Sequence, residues 1–335
     1  MPPPGPLKLI VVSDIHYTGL AERARGNDYE LQAIASPGQR RVARLYRHYV
    51  WMRHPMSRGA FLDRFLAEAG PADAVVVNGD HSGNSAFIGL SDPASLASAQ
   101  ECLAKITDRY GDKAHFVFGD HELGKVAMFS GKGGMFLASW RACTEQLGLK
   151  RFWQVKLGNY VLMGVTSPLL ALPASLSDVQ PGELPEWERL RAEHLAEIRA
   201  AFDALEPHQR VLLFCHDPTA LPFLAEEESV RRRLPQIEYT IIGHLHTNLV
   251  LWKSRLLSWI PPITFLGHTV KKMSSALSKS RAWRPFNIKL CPALAGIQLL
   301  DDGGYFTVTL DPAAQKPAEF VFHPLRRQVA KVRET

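Results

Sequence analysis

The sequence predicts an α/β fold made of two mixed β-sheets flanked by helices. Three observations predict it. Short apolar runs alternate with helix-spaced stretches. Five of those runs end in Asp or His, usually beside Gly. Two further pairs of runs flank Gly-containing turns. The chain has 335 residues, 46% hydrophobic and 21% charged, which excludes disordered, collagen-like and coiled-coil classes. No apolar run reaches the roughly 18 residues that a spanning helix needs.

The elements follow in order. Leu7 to Val12 is a buried strand ending in Ser13-Asp14-Ile15-His16. Phe61 to Ala69 has helical spacing. Ala74 to Val77 is a strand running into Asn78-Gly79-Asp80-His81. Ser95 to Tyr110 is a helix, and His115 to Phe118 a strand ending in Gly119-Asp120-His121-Glu122. Phe152 to Lys156 and Tyr160 to Val165 flank Leu157-Gly158-Asn159 as a hairpin. Glu183 to Leu205 is a long helix stopped by Pro207. Val211 to Phe214 runs into Cys215-His216-Asp217, and Tyr239 to Ile242 into Gly243-His244-Leu245-His246. Ile297 to Leu300 and Tyr305 to Leu310 read as a second hairpin, with Glu319 to Phe322 as a last strand. With no internal repeat and no linker, residues 1–335 read as one domain carrying inserts at about 17–60 and 247–294.

Those inserts break the strand–helix rhythm. The first holds Arg40, Arg41, Arg44, Arg47, His48, Trp51, Arg53 and Arg58. From Thr247 to Leu300 there is no Asp or Glu, while Lys253, Arg255, Lys271, Lys272, Lys279, Arg281, Arg284 and Lys289 supply 8 basic residues among Trp252, Trp259, Phe265, Trp283 and Phe286. The whole-chain net charge is +6, so the remainder is near neutral. Cys102, Cys143, Cys215 and Cys291 stand far apart without a CxxC pair, which fits a reducing cytoplasm. The opening Met1 to Pro6 has no apolar stretch of the signal-peptide kind.

Asp and His arriving together at strand ends are metal-binding chemistry. Carboxylate oxygen with imidazole nitrogen suits Mn²⁺, Fe or Zn²⁺, and no thiolate set exists for structural zinc. Strand alternation points Asp14 and His16 the same way, and likewise His244 and His246. With Asp80 as a bridge, two such pairs make a two-metal centre suited to in-line displacement at phosphorus. A single strand-end Asp or His is ordinarily a cap or a satisfied polar group; five in this order are not explained that way. Asp217, before Pro218, reads as a local turn residue. His81 reads as a neighbour of the ligands or a substrate contact, and Cys215 as a small buried apolar residue.

The order of these blocks resembles the calcineurin-like metallophosphoesterase superfamily, whose pattern is D-x-H, G-D, G-N-H-[E/D], a lone H and G-H-x-H. Here stand Asp14-Ile15-His16, Gly79-Asp80, Gly119-Asp120-His121-Glu122, His216 and Gly243-His244-Leu245-His246. The resemblance implies a four-layer αββα sandwich with a dinuclear site, Mn²⁺ first and Fe or Zn²⁺ as alternatives. It implies Asp14, His16, Asp80 and His246 on one ion and Asp80, Asp120, His216 and His244 on the other. Water between the ions is then the nucleophile, His121 the acid for the leaving group, and Glu122 the residue orienting its ring. One block departs: Asp120 stands where the family has Asn, which adds a negative charge to the site.

The acid-free, Trp-bearing segment is interface chemistry, with Trp252, Lys253, Arg255 and Trp259 as substrate or membrane contacts close after His246. A solvated basic face over an ordinary core is the plain alternative, and nucleic acid could use such a surface too. The combination resembles the UDP-2,3-diacylglucosamine pyrophosphohydrolases of lipid A synthesis, peripheral membrane enzymes that release UMP; their best-known members carry Arg where this chain has His121. This implies a phosphate-containing lipid substrate on the inner face of a membrane. The alternatives are a soluble nucleotide or cyclic-nucleotide phosphodiesterase and a non-catalytic scaffold. The stretch Arg40 to Arg58 either helps bind a diphosphate or is a solvated helix face.

Overall fold

The computed structural model describes residues 5–126, 132–245 and 280–325. Ten strands form two five-stranded sheets. The first, in order β10-β9-β1-β2-β3, comprises Glu319–Pro324, Gly304–Leu310, Leu7–Val12, Ala74–Asn78 and Ala114–Val117. The second, β4-β5-β6-β7-β8, comprises Phe152–Leu157, Tyr160–Val165, Arg210–Cys215, Ile237–Ile242 and Ile288–Leu290. β1, β2 and β3 are parallel, and so are β5, β6, β7 and β8. The antiparallel pairings are β4 with β5, β9 with β1, and β10 with β9.

Alternation along each strand sorts the core into three layers of contact. Leu9 and Val11 of β1 join Val76, Trp153, Leu162, Leu212 and Phe214 between the sheets. Ile10 and Val12 face the other way, onto the helices Gly59–Glu68 and Pro93–Tyr110 through Leu62, Phe65, Ala99, Cys102 and Ile106. The outer face of the second sheet packs Met163, Val211 and Leu213 against Leu195, Ile198 and Phe202 of the helix Leu184–Asp203. The result is helix, sheet, sheet, helix. Strands buried on both faces must be apolar throughout, which is why β1, β2 and β6 stand out in the sequence. The helix Pro93–Tyr110 begins with Asp92, whose carboxylate accepts from Ser95 N–H at 3.0 Å. It ends at Gly111, with φ 59°. No helix among the described residues is long and apolar enough to cross a membrane.

One expectation needs correction. Ile297 to Leu300 is a turn, not a strand. Its amides are taken elsewhere: Gln298 N–H donates to Trp51 O at 2.9 Å and Leu299 N–H to Val50 O at 3.1 Å. The second hairpin is instead β9–β10, since β9 is flanked by β1 and β10. Ile288–Leu290, within the span of the second insert, adds β8 parallel to β7. Chain then returns to the first sheet, where Leu294 N–H donates to Ser13 O at 3.0 Å.

Candidate metal centre

The parallel strands of both sheets deliver their C-terminal ends to one edge. β1 hands on Ser13, Asp14 and His16; β2, Gly79 and Asp80. Beyond β3 come Gly119, Asp120 and His121. β6 hands on His216, and β7 Gly243 and His244. The chain must turn sharply as it leaves each strand. Asp14, His16, Asp80 and His244 all take positive φ, at 50°, 47°, 55° and 57°. Asp and His enter that region more readily than most residues, and it concentrates at functional sites. Backbone bonds hold the turns: His16 N–H donates to Asp80 O at 2.9 Å and Asp14 N–H to Gly79 O at 3.2 Å. His244 N–H donates to Asp14 Oδ1 at 3.1 Å.

Close approach of these loops needs glycine. A Cβ at Gly119 would lie 2.1 Å from Asp80 Oδ1, and one at Gly79 2.4 Å from His216 Nδ1. With that space free, the donor atoms converge. Asp80 Oδ2 lies 3.2 Å from His216 Nε2, 3.9 Å from His16 Nε2 and 4.0 Å from His121 Nε2. Asp120 Oδ1 lies 3.3 Å from His216 Nε2 and 2.8 Å from His244 Nδ1. Three overlapping groups have donor atoms within 4.8 Å of one another: His16, Asp80 and His121; Asp120, His216 and His244; and Asp14, Asp80 and His216. Asp80 and His216 each belong to two of them.

The donors fit divalent metal. His216 Nδ1 sits 2.6 Å from Asn78 O, and a carbonyl only accepts, so Nδ1 carries the hydrogen and Nε2 is aimed at the cluster. Asp80 Oδ2 and His216 Nε2 are both buried, yet neither makes a well-formed hydrogen bond. Buried polar atoms left this way are rare in a folded chain, and an ion between them resolves the cost. The charges also interact strongly. Burial pushes the Asp80 carboxyl up to about 7, with the Asp120 charge adding to the rise. Desolvation would raise Asp120 as well, but His244 and His216 outweigh it and hold that carboxyl well below its usual range. Desolvation would lower His244, but Asp120 raises it to about 10. A carboxylate–imidazole cluster of this kind binds protons where it would bind cations.

Glu122 plays a different part from the one expected. Its buried carboxylate accepts from Gly119 N–H at 2.7 Å, Asp80 N–H at 3.0 Å and His81 N–H at 2.7 Å. It therefore ties the loop after β3 to the loop after β2, and orienting the His121 ring is not the role these bonds give it. His121 stands at the rim with its side chain 19% exposed, 5.0 Å from the His16 ring between centroids. His81 is fully buried, edge-on to Phe116, and burial lowers its pKa; it offers substrate no surface. Asp217 is the turn residue expected, accepting from Thr219 N–H at 2.8 Å. Cys215 is fully buried, as a small apolar residue would be, and burial pushes its thiol up.

Sequence reasoning did not single out Ser13, Asn78 or Asn84. The Ser13 hydroxyl lies 2.5 Å from Asp14 Oδ2, and the Asn84 amide donates to His121 O. Nor did it separate Arg58 and Trp51 from their basic neighbours. Both line a narrow cavity beside Asp14 and His16. His246, Trp252, Lys253, Arg255 and Trp259 lie outside the described residues.

The family profile of the calcineurin-like phosphoesterases matches residues 7–248, most of the chain and every block above. The chain belongs to this family. It is a metal-dependent phosphoesterase, and its donor groups form a site for a dinuclear divalent centre. Among curated proteins no sequence matches it. Solved structures similar to the phosphoesterase include a dimetal phosphatase from Danio rerio, 12% identical over 95% of this chain and 96% of that one, with TM-score 0.47. The Phosphopantetheinyl Hydrolase of Mycobacterium tuberculosis is 13% identical over 71% and 83%, with TM-score 0.36. A metallophosphoesterase from Sphaerobacter thermophilus is 12% identical over 95% and 88%, with TM-score 0.31.

Proposed function

We propose that the phosphoesterase holds two ions, Mn²⁺ first among candidates, and hydrolyses a lipid-linked diphosphate of the UDP-2,3-diacylglucosamine kind at an anionic membrane face. Asp14, His16, Asp80 and His246 serve one ion; Asp80, Asp120, His216 and His244 serve the other. The observation that carries the reaction is Asp80, whose Oδ2 stands between the His16 and His216 nitrogens. When bound, the ions supply Lewis-acid polarisation of the phosphoryl oxygens and acidify water. The chain's own groups do the rest. Asn78 O fixes the His216 tautomer. Glu122 sets the spacing of the Asp80 and Asp120 loops. His121, at the rim, gives a proton to the leaving oxygen. Arg58, beside Asp14 and His16, meets a phosphoryl oxygen.

Two features support the lipid reading. Thr247 to Leu300 is free of acids and rich in Trp, Lys and Arg. The helix Pro37–Tyr46 and the turn after it carry Val42, Leu45, Tyr46 and Tyr49 at spacings of three and four, 59%, 50%, 43% and 64% exposed. That spacing makes one apolar stripe, with Arg41 and Arg44 near it, as interfacial helices have. The test is Mn²⁺-dependent release of UMP from UDP-2,3-diacylglucosamine in mixed micelles. Turnover that Asp80→Ala abolishes supports the reading. Turnover confined to soluble nucleotide diesters refutes the lipid substrate, and a loaded protein inert to all of them refutes the enzyme.

A further inference from the structure

The first insert encloses an open cleft of about 630 Å³. Its walls carry four arginines, Arg25, Arg44, Arg47 and Arg53, and two histidines, His48 and His54. Asp28 is the one acid among them. The pairing inside is lopsided. Arg25 is engaged by Asp92, outside the lining, at 2.7 Å. Arg44 lies 3.4 Å from Asp28 Oδ2, and Arg47 bonds the other oxygen of the same carboxylate. One carboxylate therefore serves two guanidinium groups. Arg53 has no carboxylate partner among the described residues; its Nε lies 3.0 Å from His48 Nε2. A neutral imidazole nitrogen accepts the guanidinium N–H but leaves its positive charge unneutralised. A cleft of this size with surplus fixed cations is a site for an anion.

The cleft also has a defined relation to the metal centre. Trp51 and Met52 line the narrow cavity beside Asp14 and His16, while Arg53 and His54, the next residues, line the cleft. One pass of chain separates the two spaces. It is held in place by Gln298, whose amide Oε1 accepts from Arg53 N–H at 2.7 Å and whose Nε2 donates to His48 O at 2.9 Å. The planar guanidinium fork matches phosphate oxygens two at a time, which favours phosphoryl groups over single-point acceptors.

We infer that this cleft is a second phosphoryl-binding site, which receives an anionic group of the substrate other than the phosphorus attacked at the metals. The inference rests on the phosphoesterase reading for its substrate and on the cleft alone for its binding. It sorts substrates: diphosphates and phosphoryl-bearing diesters gain from it, simple diesters do not. Arg53 is the residue with most to give, since no carboxylate holds it.

Two measurements test it. Mn²⁺-loaded wild-type and Arg53→Gln/Arg44→Gln proteins are compared on a nucleoside diphosphate ester and on bis-p-nitrophenyl phosphate. The expected result is a fall of about tenfold or more in the preference for the diphosphate, seen in KM rather than kcat. An unchanged preference overturns the inference while leaving the hydrolase intact. Binding of inorganic pyrophosphate to metal-free protein is measured in parallel by calorimetry, so that a protein without turnover still gives an answer. Pyrophosphate affinity that drops about tenfold in the double variant supports the site. Absent binding, or binding indifferent to the substitutions, overturns it.

Discussion

The metal edge and the first insert are built on opposite principles. At the edge, five strands of two sheets end together, and side-chain and backbone hydrogen bonds tie their loops to one another. Ser13 touches Asp14, Asn78 O holds His216, and Glu122 binds three amides at once. Asp14, His16, Asp80, Glu122 and His216 are buried there, and four of its backbone turns have positive φ. In the insert, the helix Pro37–Tyr46 buries no residue, and Val42, Leu45 and Tyr49 face solvent. Its arginines outnumber the acids they meet in the cleft. The contrast teaches where this fold keeps its chemistry and where it keeps its selectivity. Donor atoms a few ångströms apart demand a rigid frame. A surface that meets varied anions or apolar ligands does not.

The sharpest way to break the comparison is Asp80→Ala. Asp80 faces His16, His121 and His216 at once, so turnover should vanish while the far-ultraviolet circular dichroism stays native. His121→Asn should lower kcat by about 10²–10⁴-fold for substrates with poor leaving groups. The loss should shrink for p-nitrophenolate, which needs no proton; equal losses on both would remove the acid role. Glu122→Gln should cost about 1–3 kcal/mol in a denaturant titration, because one oxygen accepting from Gly119 and Asp80 and the other from His81 cannot all be replaced by an amide. At the insert, Leu45→Asp should change stability by less than about 0.5 kcal/mol, since its side chain is half exposed, yet weaken binding to anionic vesicles. A large loss of stability there would mean that the stripe is packed against protein.

Much of the edge was legible because its residues carry their own signature. β1 and β6 are apolar on both faces, and each breaks off at Asp or His. The work of Glu122 was not legible, because its partners are backbone amides, two of them about forty residues away, and amides have no sequence signature. Ile297 to Leu300 looked like a strand for its apolar run, but Gln298 and Leu299 gave their amides to Trp51 and Val50 of the insert. β8 was hidden inside an acid-free stretch whose composition pointed to surface binding. The cleft was hidden for a related reason. A run of arginines reads alike whether it faces water or a cavity, and only the position of Asp28 and Asp92 tells which guanidinium groups are already spoken for.

Metal content of the purified protein, determined by inductively coupled plasma mass spectrometry after loading and desalting, tests the central claim most directly. The account predicts two divalent ions per chain in the wild type and at most one in Asp80→Ala. Two ions retained without the Asp80 carboxylate, or none in a folded wild type, would contradict it.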